Sequence, residues 1–208
     1  MNFLSRPTSA FAAALAFALP MAASVSAQAQ EEPAALVKRI SADVIDTAKN
    51  DKSIKAGDTT RITQLVDTKV MPSVNFEVAT RSAVGPAWRN ATPEQRSQLE
   101  AEFKTLLLRL YAGALTQVGD QTVNVTKTVP AAGGLQTVVQ TEVRGSGEPV
   151  KLDYRLLKSG SDWKIIDVNV GGIWLVQNYR SQFAGEISKG GVDGLIKSLA
   201  DRNKSSKS

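Results

Sequence analysis

The sequence predicts an α+β fold, in which several helices cover one face of a four-stranded antiparallel meander sheet. The order of the patterns is the first reason: helical periodicity fills both ends of the chain, and alternating apolar residues fill 123–170. The strand-like runs are also joined by short connections containing Gly or Ser, which favour hairpins. Finally, residues 162–183 pass from a strand through Gly171 and Gly172 directly into an amphipathic helix.

The N-terminus predicts a secretory signal peptide over residues 1–27. It carries Arg6 and no acidic residue, followed by an apolar run from 10 to 19 that is too short to span a bilayer, and then small residues. We expect cleavage after Ala27, with Ala29 as the rival position. The rest, 28–208, predicts a single domain.

The composition excludes several classes of function. Without the leader's Arg6, 24 basic residues face 20 acidic ones (25 and 20 in the whole chain), so the mature domain is mildly basic and lacks a nucleic-acid signature. The chain has no Cys and no His, which rules out disulfides, the usual zinc sites, His-based triads and Cys nucleophiles. A lipoprotein anchor would need a Cys at the cleavage site, so we expect an unanchored mature protein.

Three helical patterns precede the long central helix. The first begins at Pro33, a residue that the first helical turn tolerates; the second follows Asp58, a predicted N-cap, and is interrupted at Pro72. A short helical segment that carries Val74, Phe76 and Val78 comes next and runs to Gly85 and Pro86. The apolar stripes of the first two helices are Leu36, Ile40, Val44 and Ala48, then Ile62, Leu65, Val66 and Val70.

The long helix begins at Thr92, where Pro93 and Gln95 complete a capping-box pattern. Its apolar stripe is wide, which calls for a large apolar partner. The helix is expected to end at Gly119. The stripe residues are Leu99, Phe103, Leu106, Leu107, Leu110, Tyr111, Ala114, Leu115 and Val118.

Four strand-like runs and two helices complete the domain. The runs are 123–129, 135–144, 150–156 and 163–170, and the helices are 174–187 and 192–202. Residues 203–208 predict a disordered polar tail.

Several landmarks, in order along the mature chain, resemble the MlaC family of periplasmic phospholipid-binding proteins, also described as toluene-tolerance auxiliary proteins of an ABC transport system. Two positions depart from the family pattern: Trp174 stands where a small Ser is usual, and Asn75 where many members have Asp. The landmarks are Val70-Met71-Pro72, Val84-Gly85, Trp88, Ala91-Thr92-Pro93, Gln95-Arg96, Phe103, Leu107, Tyr111, Val150, Asp153-Tyr154-Arg155, Trp163-Lys164, Asp167-Val168, Gly172, the run 176–183 and the run 191–195.

The resemblance implies a carrier that encloses acyl chains in an apolar cavity between the long helix, the 74–78 segment and the sheet. It implies a monomer with phospholipid as cargo, no cofactor or metal, transient membrane contact, and two partners: an outer-membrane lipoprotein complex and the periplasmic subunits of an inner-membrane ABC transporter. The expected cavity residues are Val74, Phe76, Phe103, Leu106, Leu107, Leu110, Tyr111, Leu115, Val125, Leu152, Tyr154, Val168, Val170 and Trp174.

Other functions stay open at this stage. The cargo could be another lipid, such as a hopanoid, or the domain could be a structural interaction module. A small enzyme could use Asp153 and Asp167 on adjacent strands as a carboxylate pair, although a solvated Asp153 and an ion-paired or capping Asp167 are favoured. The glycines of 185–191 have P-loop spacing but lack the Lys-Ser/Thr pair.

Trp174 receives two interpretations. An indole suits the rim of a lipid cavity, where one side is dry and the other wet, and there it would gate the entrance. Alternatively it packs against Leu195 and Leu199 of the last helix. Because Trp cannot cap a helix, the amides of the following first turn need another acceptor.

Overall fold

The structure is a computed structural model that describes residues 31–131 and 133–205; the predicted signal peptide lies outside these residues. The helices are α1 (Pro33–Asn50), α2 (Lys52–Lys55), α3 (Thr59–Leu65), α4 (Phe76–Val84), α5 (Pro93–Thr116) and α6 (Leu175–Ser205), with a π-helical turn at Val66–Val70 and 3-10 turns at Met71–Ser73 and Gly85–Asn90. The strands are β1 (Thr122–Pro130), β2 (Gln136–Arg144), β3 (Val150–Ser159), β4 (Asp162–Val170) and β5 (Ile173–Trp174).

The predicted helix starts are confirmed by their caps. The Asp58 carboxylate accepts hydrogen bonds from two amides of the first turn of α3. At α5, Thr92 and Gln95 form the reciprocal capping box, with N–O distances of 3.2 and 2.9 Å. Asn75 accepts from the amide of Val78 at 3.1 Å, so it caps α4 where the family often has Asp.

The sheet is the predicted antiparallel meander, in the order β1-β2-β3-β4-β5, but it has five strands rather than four. The fifth strand folds back on β4 after Gly171 and Gly172, whose φ angles of 59° and 95° favour glycine. Two residues are too few to show a period of two, so the strand left no pattern in the sequence.

The two C-terminal helices form α6, which is broken at Gly191, where φ is 65° and ψ is −160°. The helix continues to Ser205, so the predicted tail is wrong for its first three residues. Asn203 is buried, and its Nδ2 donates to the backbone oxygen and Oε2 of Glu102 at 2.9 and 2.7 Å. Residues 206–208 lie outside the described part of the chain.

The interior is divided into three apolar clusters. The aromatic core joins α4, the first half of α5 and α6 around Phe103, Tyr179 and Phe183. The sheet core packs Leu36, Val37 and Ile40 of α1 on Val139, Leu156 and Ile165 of the sheet, and the N-terminal helical core gathers Ala48, Ile54, Ile62 and Leu65. The sheet's strands pack against α1, α4 and α6, while α5 packs against the other helices.

Candidate functional site

The side chains of the apolar stripe on α5 change from buried to exposed along the helix. Phe103 is 1% exposed, whereas Leu110 is 59% exposed. Seven residues are about two helical turns, so these two side chains lie on the same face. Leu107, between them, is half-buried, and Tyr111 beside Leu110 is exposed. The same stripe therefore packs in the protein core at its start and is left uncovered at its end.

The inner face of the sheet, defined as the face that carries Val139 and Leu156 beneath α1, shows the same gradient. Exposure along β3 falls from 50% at Val150 to 0% at Leu156, with Leu152 and Tyr154 half-buried between them. Cross-strand partners share a face. The partly or largely exposed apolar side chains that the register places on the inner face include Val123, Val125, Val143, Val150, Leu152, Tyr154, Val168, Val170 and Ile173.

Helix α1 connects the two graded surfaces. Val44 packs against both the sheet core and the N-terminal helical core, and the latter also contacts Leu115 in the second half of α5. Aliphatic side chains left exposed on neighbouring elements are unusual in a soluble domain unless something apolar covers them.

The structure places most of the predicted cavity residues on these two surfaces. Val125, Leu152, Tyr154, Val168 and Val170 lie on the inner face, and Leu107, Leu110, Tyr111 and Leu115 are partly or largely exposed on α5. Val74 is half-buried against the sheet core, and Phe76 against the aromatic core.

Phe103 and Leu106 were expected to line the cavity, but the structure packs them in the aromatic core. The Phe103 ring centroid lies 5.7, 5.0 and 5.2 Å from those of Phe76, Tyr179 and Phe183. The apolar stripe is wide because the first half of α5 packs against other helices. From one sequence, a stripe that packs against helices looks the same as a stripe that contacts lipid.

Both interpretations of Trp174 are wrong. Trp174 pairs with Asn169 on the face opposite Val168 and Val170, and its ring stacks under the Arg155 guanidinium, 4.1 Å from the centroid. Ile173, its neighbour, instead pairs with Val170 on the inner face and is 57% exposed. The sequence did not predict Ile173 as a cavity residue. Which of the two β5 side chains lies on the inner face depends only on how β5 pairs with β4.

Asp167 supplies a hydrogen-bond acceptor for the first turn of α6, which Trp174 cannot provide. Its Oδ1 accepts from the amides of Val168 and Val176, each at 2.9 Å, and its Oδ2 lies 3.3 Å from Nη1 of Arg155. The side chain is buried, and Asp153 faces Asn169 rather than Asp167 across the strands. The geometry therefore gives Asp167 the structural role of cap and ion-pair partner.

Burial raises the pKa of Asp167 above its ordinary value of 3.8, against the opposing effects of the Val176 amide, Arg155 and the Val168 amide. The folded state therefore keeps this proton to higher pH than the unfolded state. The contribution to the free energy of unfolding is fully present below the ordinary pKa and is lost as the pH rises through the raised one.

We expect the free energy of unfolding of the parent, relative to that of Asp167→Asn, to fall as the pH rises from acid toward neutral. Urea unfolding of both proteins at a series of pH values measures this difference. A difference that grows with pH would mean that Arg155 and the two amides lower the pKa of Asp167 by more than burial raises it.

Other kinds of site lack support in the described residues. Within 31–131 and 133–205, no three His, Cys, Asp or Glu side chains are grouped in a way that could hold a metal ion. Over the same residues, no helix has an apolar stretch long enough to cross a membrane.

Comparison with known proteins gives consistent matches. The sequence pattern of the family described as "MlaC protein" matches residues 38–201. The toluene tolerance protein ttg2D of Pseudomonas putida is 33% identical over 106 residues, which are 50% of this chain and 49% of the relative, so the match spans about half of that protein. The intermembrane phospholipid transport system binding protein MlaC of Haemophilus influenzae is 24% identical over 155 residues, 73% of this chain and 72% of the relative.

A solved structure is also similar. It is a phospholipid-binding protein from Ralstonia solanacearum in complex with a phospholipid, determined at 1.53 Å resolution. The superposition has a TM-score of 0.79 with 45% sequence identity, and it covers 82% of this chain and 96% of the other. This likeness confirms the predicted α+β fold.

Proposed function

The chain belongs to the MlaC family, and on that premise we propose that it is a periplasmic phospholipid carrier that holds acyl chains in an apolar cavity. The observation that carries the proposal is the matched gradient on α5 and on the inner face of the sheet. Both surfaces are apolar, and along each of them the side chains change from exposed to buried. Such surfaces suit a ligand that enters tail first.

The energetics explain why a carrier needs this surface. A phospholipid that crosses water exposes roughly 30 methylene groups, and at about 0.8 kcal/mol each their transfer costs on the order of 24 kcal/mol. A cavity that covers the tails removes most of this cost, and the headgroup can stay in water. Such a site needs no nucleophile, base or metal, so we propose a non-enzymatic function.

The cavity walls are assigned from the partly exposed residues. On α5 they are Leu107, Leu110, Tyr111 and Leu115, and on the sheet they are Val125, Leu152, Tyr154, Val168 and Val170, with Val150 and Ile173 at the open end. Val74 and Phe76 border the site.

The relatives' names support a place in lipid transport between membranes. The Haemophilus influenzae relative is named as the binding protein of an intermembrane phospholipid transport system, and the Ralstonia solanacearum structure holds a phospholipid. We propose that the mature domain, residues 28–208 after removal of the leader, shuttles lipid between an outer-membrane lipoprotein complex and the periplasmic subunits of an inner-membrane ABC transporter.

Cargo identity is tested by organic extraction of protein purified without detergent, followed by mass spectrometry. We expect diacyl phospholipid at a near-stoichiometric level, because the exposed tails would keep the lipid from leaving into water. A polycyclic lipid in its place would identify a hopanoid carrier. A lipid-free extract from protein that melts cooperatively would contradict the carrier function.

A further inference from the structure

On β3 and β4 the inner face of the sheet becomes dry at one row of side chains, whereas on β2 Val139 and Thr141 are already buried. On β3, Tyr154 is half-buried and Leu156, the next residue on that face, is 0% exposed. On β4, Val168 is half-buried, and Ile165, which pairs with Leu156, is buried. On these two strands, the boundary between exposed and buried surface therefore lies just beyond the pair formed by Tyr154 and Val168.

Tyr154 is the bulky member of this boundary row. Its partners across the sheet are Val139 and Val168, which are much smaller. Ser41 of α1 lies close enough to the Tyr154 hydroxyl to lower the pKa of that group, although burial has the larger and opposite effect. The Tyr154 side chain packs against the sheet core, which α1 and the sheet form together.

The distance from the open end to this row matches the length of an acyl chain. From Val150 to Tyr154 the strand advances four residues, about 13 Å at roughly 3.3 Å per residue. One leaflet of a bilayer contributes about half of a hydrocarbon core that is about 30 Å thick, or about 15 Å. A tail that lay along β3 from Val150 would therefore end near Tyr154.

We propose that Tyr154 is a specificity-determining residue, whose ring closes the inner end of the cavity and sets the length of acyl chain that the protein holds. This inference rests on the proposed function of lipid binding. Methylenes up to the ring are covered by the protein, and further methylenes are left in water or force the chain to bend.

The test is a series of saturated diacyl phospholipids of increasing chain length, whose relative affinities are measured by competition against one fluorescent phospholipid. For the parent, affinity should rise with each added methylene and then reach a plateau. For Tyr154→Ala, the plateau should move to longer chains. Room for two more methylenes should change the relative affinity of the longest lipids about tenfold, which corresponds to about 0.8 kcal/mol per buried methylene.

Two controls separate the ring from its surroundings. Leu152→Ala removes a side chain of the same face nearer the open end, so it should weaken all lipids and leave the plateau in place. Tyr154→Phe keeps the ring and should also keep the parent's plateau. If Tyr154→Ala does not melt cooperatively, Tyr154→Val is measured in its place, with the same expected shift.

An unchanged plateau in a folded Tyr154→Ala or Tyr154→Val protein would overturn the proposal. So would a shift in Tyr154→Phe or Leu152→Ala as large as that of Tyr154→Ala. In all of these cases the parent still binds lipid, so the carrier function stands. Failure of the parent to bind any member of the series would instead overturn the proposed function and the length stop together.

Discussion

Leu110→Arg is expected to remove most of the bound phospholipid while the protein keeps its fold. Leu110 is 59% exposed in the structure, so an arginine there keeps access to water and costs the folded domain little. With lipid present, the same side chain would place a charge beside acyl chains, and burying a charged group without a partner is costly. We expect at least a tenfold loss of co-purified lipid, with a melting temperature close to that of lipid-free parent.

The matched control for this change is Thr105→Arg. Thr105 is exposed on the same helix but lies on the side of α5 away from Phe103 and Leu110. Thr105→Arg introduces the same charge away from the exposed apolar residues of α5, so the lipid content of this variant should equal that of the parent. Equal lipid loss in both variants, or full retention in Leu110→Arg, would show that this part of α5 does not line the cavity.

Phe103→Ala is expected to have the largest effect on stability. Phe103 is buried and has three aromatic rings within 6 Å, centroid to centroid. Truncation of a buried Phe costs about 3–5 kcal/mol, because the contacts are lost and a cavity remains. Domains of this kind have a total stability of about 5–15 kcal/mol, so the loss is a large part of it. Urea unfolding of lipid-free protein measures the change.

The comparison variant is Leu110→Ala, which shortens a side chain two turns along the same stripe. It should cost less than about 1 kcal/mol, since an exposed leucine has little contact to lose. A larger loss of stability in Leu110→Ala than in Phe103→Ala would support the original expectation that Phe103 lines the cavity. A small loss of stability with a large loss of lipid at Phe103 would place this residue on the cavity wall, as the sequence pattern suggested.

The sequence by itself determined the features that depend on neighbours along the chain. The capping box at Thr92, the caps at Asp58 and Asn75, and the alternation in β3 follow from contacts within a few residues. The meander followed from short connections, because so few residues can only return the chain to the adjacent position. The apolar character of the α5 stripe was also evident, and so was the separation of a buried strand from the helix that follows it.

Only the tertiary structure decided what covers each apolar surface. Phe103 and Leu110 look alike in the sequence, yet one packs on α4 and α6 and the other is open, since those helices cover only the first half of α5. The pairing of β5 with β4 places Ile173 on the inner face and Trp174 on the opposite face, and a shift of one residue would reverse them. Asp167 caps a helix nine residues further along the chain. Each of these depends on which elements meet in space, and local periodicity carries no information about that.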